Sequence, residues 1–230
     1  MAQHKYYEFT VTLVGIEPKI FRRFILNKNS NFNHLHSAIQ DACGWENRHL
    51  FSFSFENPYK ERPPRESVFA VSGWDEPEDY FGSPEFARDV RMGTCFDDKL
   101  STPTVYYLYD FGDAWVHEVT HVATHVFEEK FKRLLLGGER RFPKEDCGSL
   151  GGYQRILEFF QTGKSPDSGI SAREFSAWLD GWKPEDFNLS KEAKKFNLPK
   201  SLQLDPKKLG FSNLPDNVIE FKKTETLKNK

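Results

Sequence analysis

Cysteine is scarce in this 230-residue chain. Its three residues, Cys43, Cys95 and Cys147, stand 52 positions apart and form no Cys-x-x-Cys pair. That pattern excludes both a paired disulfide framework and a zinc ribbon. No apolar run comes near the roughly 18 residues of a membrane-spanning helix. Residues 1–6 lack an apolar leader core, so the expectation is a cytoplasmic protein without a membrane partner. The sequence also has no internal repeat and no low-complexity segment.

Aromatic residues, by contrast, are abundant: 22 Phe, 8 Tyr and 5 Trp in a chain that is 38% hydrophobic. That is enough to build a core, and the length corresponds to roughly one to two domains. The net charge of −2 conceals an asymmetry. Residues 191–230 hold ten lysines against five acids, which leaves that stretch at +5 and residues 1–190 at −7. The expected organisation is one domain over 1–190 and a Lys-rich extension over 191–230. Such a tail attracts an anionic partner or is merely solvated.

Residues 5–14 and 19–26 have strand composition, with Gly15-Ile16-Glu17-Pro18 punctuating a hairpin. Asn31-Phe32-Asn33 supplies a helix N-cap, Leu35, Ile39, Ala42 and Cys43 mark one face of a helix over 33–43, and Gly44 ends it. In 49–55, Phe51, Phe53 and Phe55 alternate with serines, which predicts a strand with one buried face. Residues 56–100 read as an elaborated loop with a short strand near 66–71, a possible surface for a protein partner. Residues 104–109 and 114–126 predict a hairpin about Asp110-Phe111-Gly112-Asp113, residues 128–146 a charged connector, and 152–161 and 171–179 two helices. The fold class is therefore α+β: a mixed, mainly antiparallel sheet with an N-terminal β-β-α-β unit and C-terminal helices.

Two segments carry candidate chemistry. Asp110, Asp113, His117 and Glu118 fall within nine residues and combine carboxylates with an imidazole, the groups of general acid–base or divalent-metal chemistry. From spacing alone, carboxylates that satisfy turn amides explain Asp110 and Asp113 better. Glu145-Asp146-Cys147 sets hard and soft ligands side by side ahead of glycines and a helix, although 148–152 does not fit the phosphate-loop pattern. His117, His121 and His125 recur every four residues, but β-branched residues interleave with them. On a strand that spacing spans about 13 Å, so they form a strand face rather than a metal triad. His117, nearest the turn, is the one favoured for a site. The aromatics of 51–55 and 106–109 read as core rather than as a base-stacking platform. The pairs Arg22-Arg23 and Arg140-Arg141 are better phosphate contacts.

Several blocks then read together: Lys19-Ile20-Phe21-Arg22-Arg23; Leu35-His36 through Gly44-Trp45; His49-Leu50-Phe51-Ser52-Phe53; Tyr109-Asp110-Phe111-Gly112-Asp113-Ala114-Trp115-Val116-His117; and Phe142-Pro143-Lys144-Glu145-Asp146-Cys147-Gly148 through Gly152-Tyr153. In this order, over about residues 5–190, the chain closely resembles the plasmid pRiA4b ORF-3-like family, whose members recur on plasmids and inside insertion elements. The resemblance implies a compact α+β domain of mobile-element origin. Some relatives carry a resolvase-like label, yet the first serine here, Ser30, lies in Asn-rich surroundings without the arginines a serine recombinase needs. Where the family usually has Trp, Pro and Gly, this chain has Phe21, Lys144 and Ser149.

The resemblance raises Asp110, Asp113, His117, Glu145, Asp146 and Cys147 to a candidate functional surface. Two functions follow. One is a non-enzymatic accessory or interaction module that meets DNA or RNA through Arg22, Arg23, Arg140 and Arg141. The alternative is a metal-dependent hydrolase or nuclease holding a divalent ion with Asp113, His117, Glu145 and Asp146. The second requires the 110–113 turn and the 145–147 loop to meet within about 10 Å.

Overall fold

The structure is a computed structural model that describes residues 3–60, 67–73, 84–97, 104–196, 211–214 and 218–221. Residues 61–66, 74–83 and 98–100 of the expected interaction loop, and most of the Lys-rich extension, lie outside the described residues.

Strand β1 (His4–Leu13) is central. Its aromatic and β-branched residues suit a strand covered on both faces. Tyr7, Phe9, Val11 and Leu13 enter the main core, and Tyr6 a smaller cluster with Ile25, Phe127, Phe131, Leu134 and Leu136. β1 pairs antiparallel with β2 (Phe21–Asn27) and with β7 (Trp115–Phe127). The remaining strands are β3 (Phe51–Ser54), β4 (Val68–Val71), β5 (Glu85–Phe86), β6 (Thr104–Tyr109), β8 (Arg133–Glu139), β9 (Phe211–Leu214) and β10 (Val218–Phe221). Their order is β5-β4-β3-β6-β7-β1-β2-β8-β10-β9. Every ladder is antiparallel except β4 with β5, so the sheet is mixed and mainly antiparallel, as expected, and the fold is α+β.

Helix α1 (Phe32–Cys43) covers the main core. The Asn31 side chain accepts from the His34 backbone N–H at 3.0 Å, and Gly44 closes the helix at φ 78°. Leu35, Ile39, Ala42 and Cys43 are buried, as their spacing predicts. His36 stacks on Phe51 at 3.7 Å, accepts from the Tyr107 hydroxyl at 2.7 Å, and donates to Asn47 Oδ1 at 2.7 Å. Burial lowers its pKa to about 4, outweighing the Asn47 hydrogen bond and the Asp41 charge. Helices α3 (Ser149–Thr162), α4 (Ala172–Leu179) and α5 (Leu189–Phe196) follow, beside a single turn, α2 (Gly93–Phe96).

Three expectations need correction. Residues 128–146 are not only a connector: they contain β8, with Leu134, Leu135 and Leu136 fully buried. β3 is buried on both faces, Ser52 and Ser54 included, whereas Phe55 beyond its end is exposed. The three histidines do not share a face. Phe9 pairs with His121 and Glu8 with Ala123, so Val122 is an extra residue in β7. This bulge leaves His117 and His121 on the main-core face and turns His125 to the other, against Glu8. Helix α5 spans position 190: Phe196 is fully buried in the main core and its carbonyl accepts from Arg133 Nε at 2.9 Å.

Candidate functional site

Three segments distant in sequence meet at one end of the sheet: the loop after α1, the β6–β7 turn, and the loop that leads into α3. Hydrogen bonds lock them together. The Trp45 indole donates to the Pro143 carbonyl at 2.9 Å, and the Glu46 amide to Glu145 Oε2 at 2.8 Å. The Tyr109 hydroxyl accepts from the Arg48 amide at 2.9 Å and donates to Glu145 Oε1 at 2.5 Å. Burial and that carboxylate both push the Tyr109 phenol pKa up. The Gly148 amide donates to Asp113 Oδ2 at 3.1 Å. The turn and the loop therefore touch directly.

The backbone is unusual here. Asp110 (φ 56°), Ala114 (φ 52°), Asp146 (φ 60°) and Ser149 (φ 64°) all occupy the left-handed region, which L-residues enter at a cost of about 1–2 kcal/mol. Gly148 stands beside them at φ 88°. Gly152 serves close approach instead: a Cβ there would lie 1.7 Å from the Cys147 carbonyl oxygen. The first turn of α3 thus sits directly on the loop that carries Asp146.

This arrangement gathers His49, Asp110 and Asp146. His49 Nε2 lies 2.9 Å from Asp146 Oδ1 and 3.6 Å from Asp110 Oδ2. One ligand atom from each residue falls within 4.8 Å of the others, a spacing that ligands at about 2.0–2.6 Å from one divalent ion adopt. Asp110 is anchored through its other oxygen, Oδ1, which accepts from the Gly112 and Asp113 amides at 3.0 and 3.3 Å. That leaves Oδ2 for the cluster. The Asp146 side chain is 58% exposed, so the cluster opens to solvent.

The sequence-derived candidates divide accordingly. Asp110, Asp113, Glu145, Asp146 and Cys147 do come together. Asp113 and Glu145 hold the loops, however, and burial pushes the Cys147 thiol up to about 12, with the Asp113 charge adding to it, so it stays protonated. His117 is apart from them. It is fully buried beside Trp45, Tyr107 and Phe142. Its Nδ1 lies 3.4 Å from the Tyr107 carbonyl, Nε2 has no hydrogen-bond partner among the described residues, and burial lowers its pKa to about 4. His49 takes the place the sequence assigned to His117. It belongs to a block that carried the family resemblance, but no short spacing joins it to Asp110 or Asp146.

The four arginines are engaged within the protein. Arg22 is buried, bonding the Ala42, Phe21 and Glu139 carbonyls at 2.9, 2.8 and 3.1 Å. Arg23 pairs with Glu8, Arg140 with Glu185 at 2.8 Å, and Arg141 with Asp186 at 3.2 Å.

The chain belongs to the plasmid pRiA4b ORF-3-like protein family, whose model matches residues 5–191. It is 30% identical over 149 residues to the uncharacterized protein y4hQ of Sinorhizobium fredii (strain NBRC 101917 / NGR234), covering 64% of this chain and 69% of that one. It is also similar to the crystal structure of MM3350, a protein of unknown function from Methanosarcina mazei Go1, with a TM-score of 0.63 and 27% identity over 82% of this chain and 97% of that chain. Among the described residues, no helix is long and apolar enough to cross a membrane.

Proposed function

We propose that this plasmid-family protein binds a divalent cation between His49, Asp110 and Asp146 and acts as a metal-dependent hydrolase. The observation that carries the reading is the convergence of the three donor atoms, from three separate segments, within 4.8 Å. One imidazole with two carboxylates suits Mn²⁺ or Zn²⁺. Three protein ligands on an open surface leave coordination positions for water and substrate, and the ion's role would be to acidify that water. The chain's own contribution is positional. Asp113 and Glu145 fix the two loops, and the turn amides on Asp110 Oδ1 aim Oδ2 at the cluster.

We favour this over the accessory role on DNA or RNA because the four arginines put forward for phosphate contact all have partners inside the protein. The test is calorimetric titration of the full chain with Mn²⁺ and Zn²⁺, followed by a panel of 4-nitrophenyl esters and phosphates. Saturable 1:1 binding, weakened at least tenfold in His49→Ala and Asp146→Asn, with metal-dependent turnover, is expected. Absence of saturable binding overturns the reading. Salt-sensitive DNA or RNA binding without metal dependence would restore the accessory role.

A further inference from the structure

Beside the cluster lies a cavity of about 510 Å³ between α3, α4 and the loop that joins them, within the roughly 300–1,000 Å³ of small-molecule sites. Its apolar wall comes from Ile156, Ile170, Phe175 and Trp178, and its rim nearest the cluster from Asp146 and Cys147. Ile170 and Trp178 are large apolar side chains left 41% and 40% exposed, and the Lys144 ammonium lies 5.3 Å from the centre of the Trp178 ring.

The charges around this cavity are uneven. Glu174 is committed to the start of α4, accepting from the Ser171 amide at 2.9 Å and its hydroxyl at 2.6 Å. Asp167 accepts from the Gly169 amide at 3.0 Å. Asp146 is turned to His49. Among the described residues, Arg155 is the single cation lining the cavity and takes part in none of their ion pairs. Its guanidinium folds back along α3. Nη2 stands 3.3 Å from where a Cβ on Gly148 would be and 3.6 Å from where one on Gly152 would be, beside the loop that bears Asp146.

We propose that this cavity is the substrate pocket of the same site and takes a small organic anion: a carboxylate or phosphate head on a flat or branched apolar body. Arg155 and the cation hold the head from two sides, while the body packs against Ile156, Ile170, Phe175 and Trp178. A planar guanidinium matches either head with paired hydrogen bonds. The inference rests on the cation site only for the second side of that clamp. Arg155 and the apolar wall stand without it.

The experiment titrates the full chain, with and without Mn²⁺, with phenylacetate and with phenyl phosphate. Benzyl alcohol serves as the neutral control, and acetate and inorganic phosphate as heads without bodies. The expected result is saturable binding of at least one phenyl anion, tighter with Mn²⁺ and at least tenfold tighter than the neutral control or the bare heads. Arg155→Ala should abolish that preference for the anion, and Trp178→Ala should weaken phenyl binding without altering Mn²⁺ affinity. Whichever phenyl anion binds more tightly identifies the head. Mn²⁺ binding with no binding of either phenyl anion overturns the pocket and spares the cation site. Arg155-dependent anion binding without any Mn²⁺ binding supports the pocket and removes the cation site. Binding of both phenyl anions no tighter than that of benzyl alcohol overturns the anion anchor.

Discussion

The imidazole of His49 and the carboxylate of Asp146, 97 positions apart in the chain, meet at 2.9 Å. That contact closes the junction between the loop after α1 and the loop before α3. It rests on the first turn of α3, where Gly152 allows the Cys147 carbonyl to approach and Ser149 bears a left-handed backbone.

Ser149→Gly should therefore stabilise the protein. The wild-type side chain sits at φ 64°, where glycine is free of the steric cost. Part of the gain is offset by glycine's greater freedom in the unfolded chain, leaving about 0.5–1 kcal/mol net. Gly152→Ala should do the opposite and cost about 3 kcal/mol or more, because α3 must move off the loop. Urea unfolding of the two variants checks both signs.

Stability should fall as the medium is acidified from about pH 6.5 towards 4. Burial lowers His36 and His117 to about 4, whereas in the unfolded chain each takes up a proton near 6.5. Between those values the unfolded state binds more protons, so acid favours unfolding, by up to roughly 1.4 kcal/mol per pH unit for each histidine. His117→Phe, which places an apolar ring among Trp45, Tyr107 and Phe142, should about halve that slope. An unchanged slope would refute the assignment.

On the opposite face of the sheet, Glu8 is buried between Arg23 and His125, with His125 Nε2 at 2.5 Å. Burial alone would raise its pKa, but the hydrogen bonds and charges of these partners outweigh that and lower it. The pair interaction therefore stabilises the fold at pH values above the ordinary glutamate range and is lost as pH drops below it. Glu8→Gln leaves Arg23 without its counter-charge and should cost about 3 kcal/mol at neutral pH.

Phe196 extends the core past the family match. Its ring is fully buried and packs on Phe24 at 5.4 Å, and the Arg133 guanidinium lies 4.6 Å from its centre. Phe196→Ala should cost about 3–5 kcal/mol. A chain ending at 190 should melt well below one ending at 196, which a thermal scan of the two decides.

Much of this fold is legible in the sequence because its signals are local. Asn31 and Gly44 bracket α1, and Leu35, Ile39 and Ala42 give its buried face. Asp110-Phe111-Gly112-Asp113 marks the β6–β7 turn. β8 escaped because Lys130, Lys132, Arg133 and two glycines surround only three leucines, and it is tertiary pairing with β2 that buries them. The bulge at Val122 has no sequence signature and reverses the face of His125. In the candidate site, the two acidic loops are visible as motifs and their meeting is not. His117 lies near the turn in sequence but faces the core, whereas His49 reaches the acids only through sheet topology. The arginine pairs read as free cations because their partners, Glu8, Glu185 and Asp186, are 15 to 45 positions away.

The central claim is a cation held by His49, Asp110 and Asp146, and electron paramagnetic resonance of Mn²⁺ added to the full chain tests it most directly. The account predicts loss of the free-ion signal at one equivalent of protein, retained in His117→Phe and lost in His49→Ala and in Asp110→Asn. A signal that stays at its free-ion amplitude with wild-type protein, or that is quenched equally by the His49→Ala variant, would contradict it.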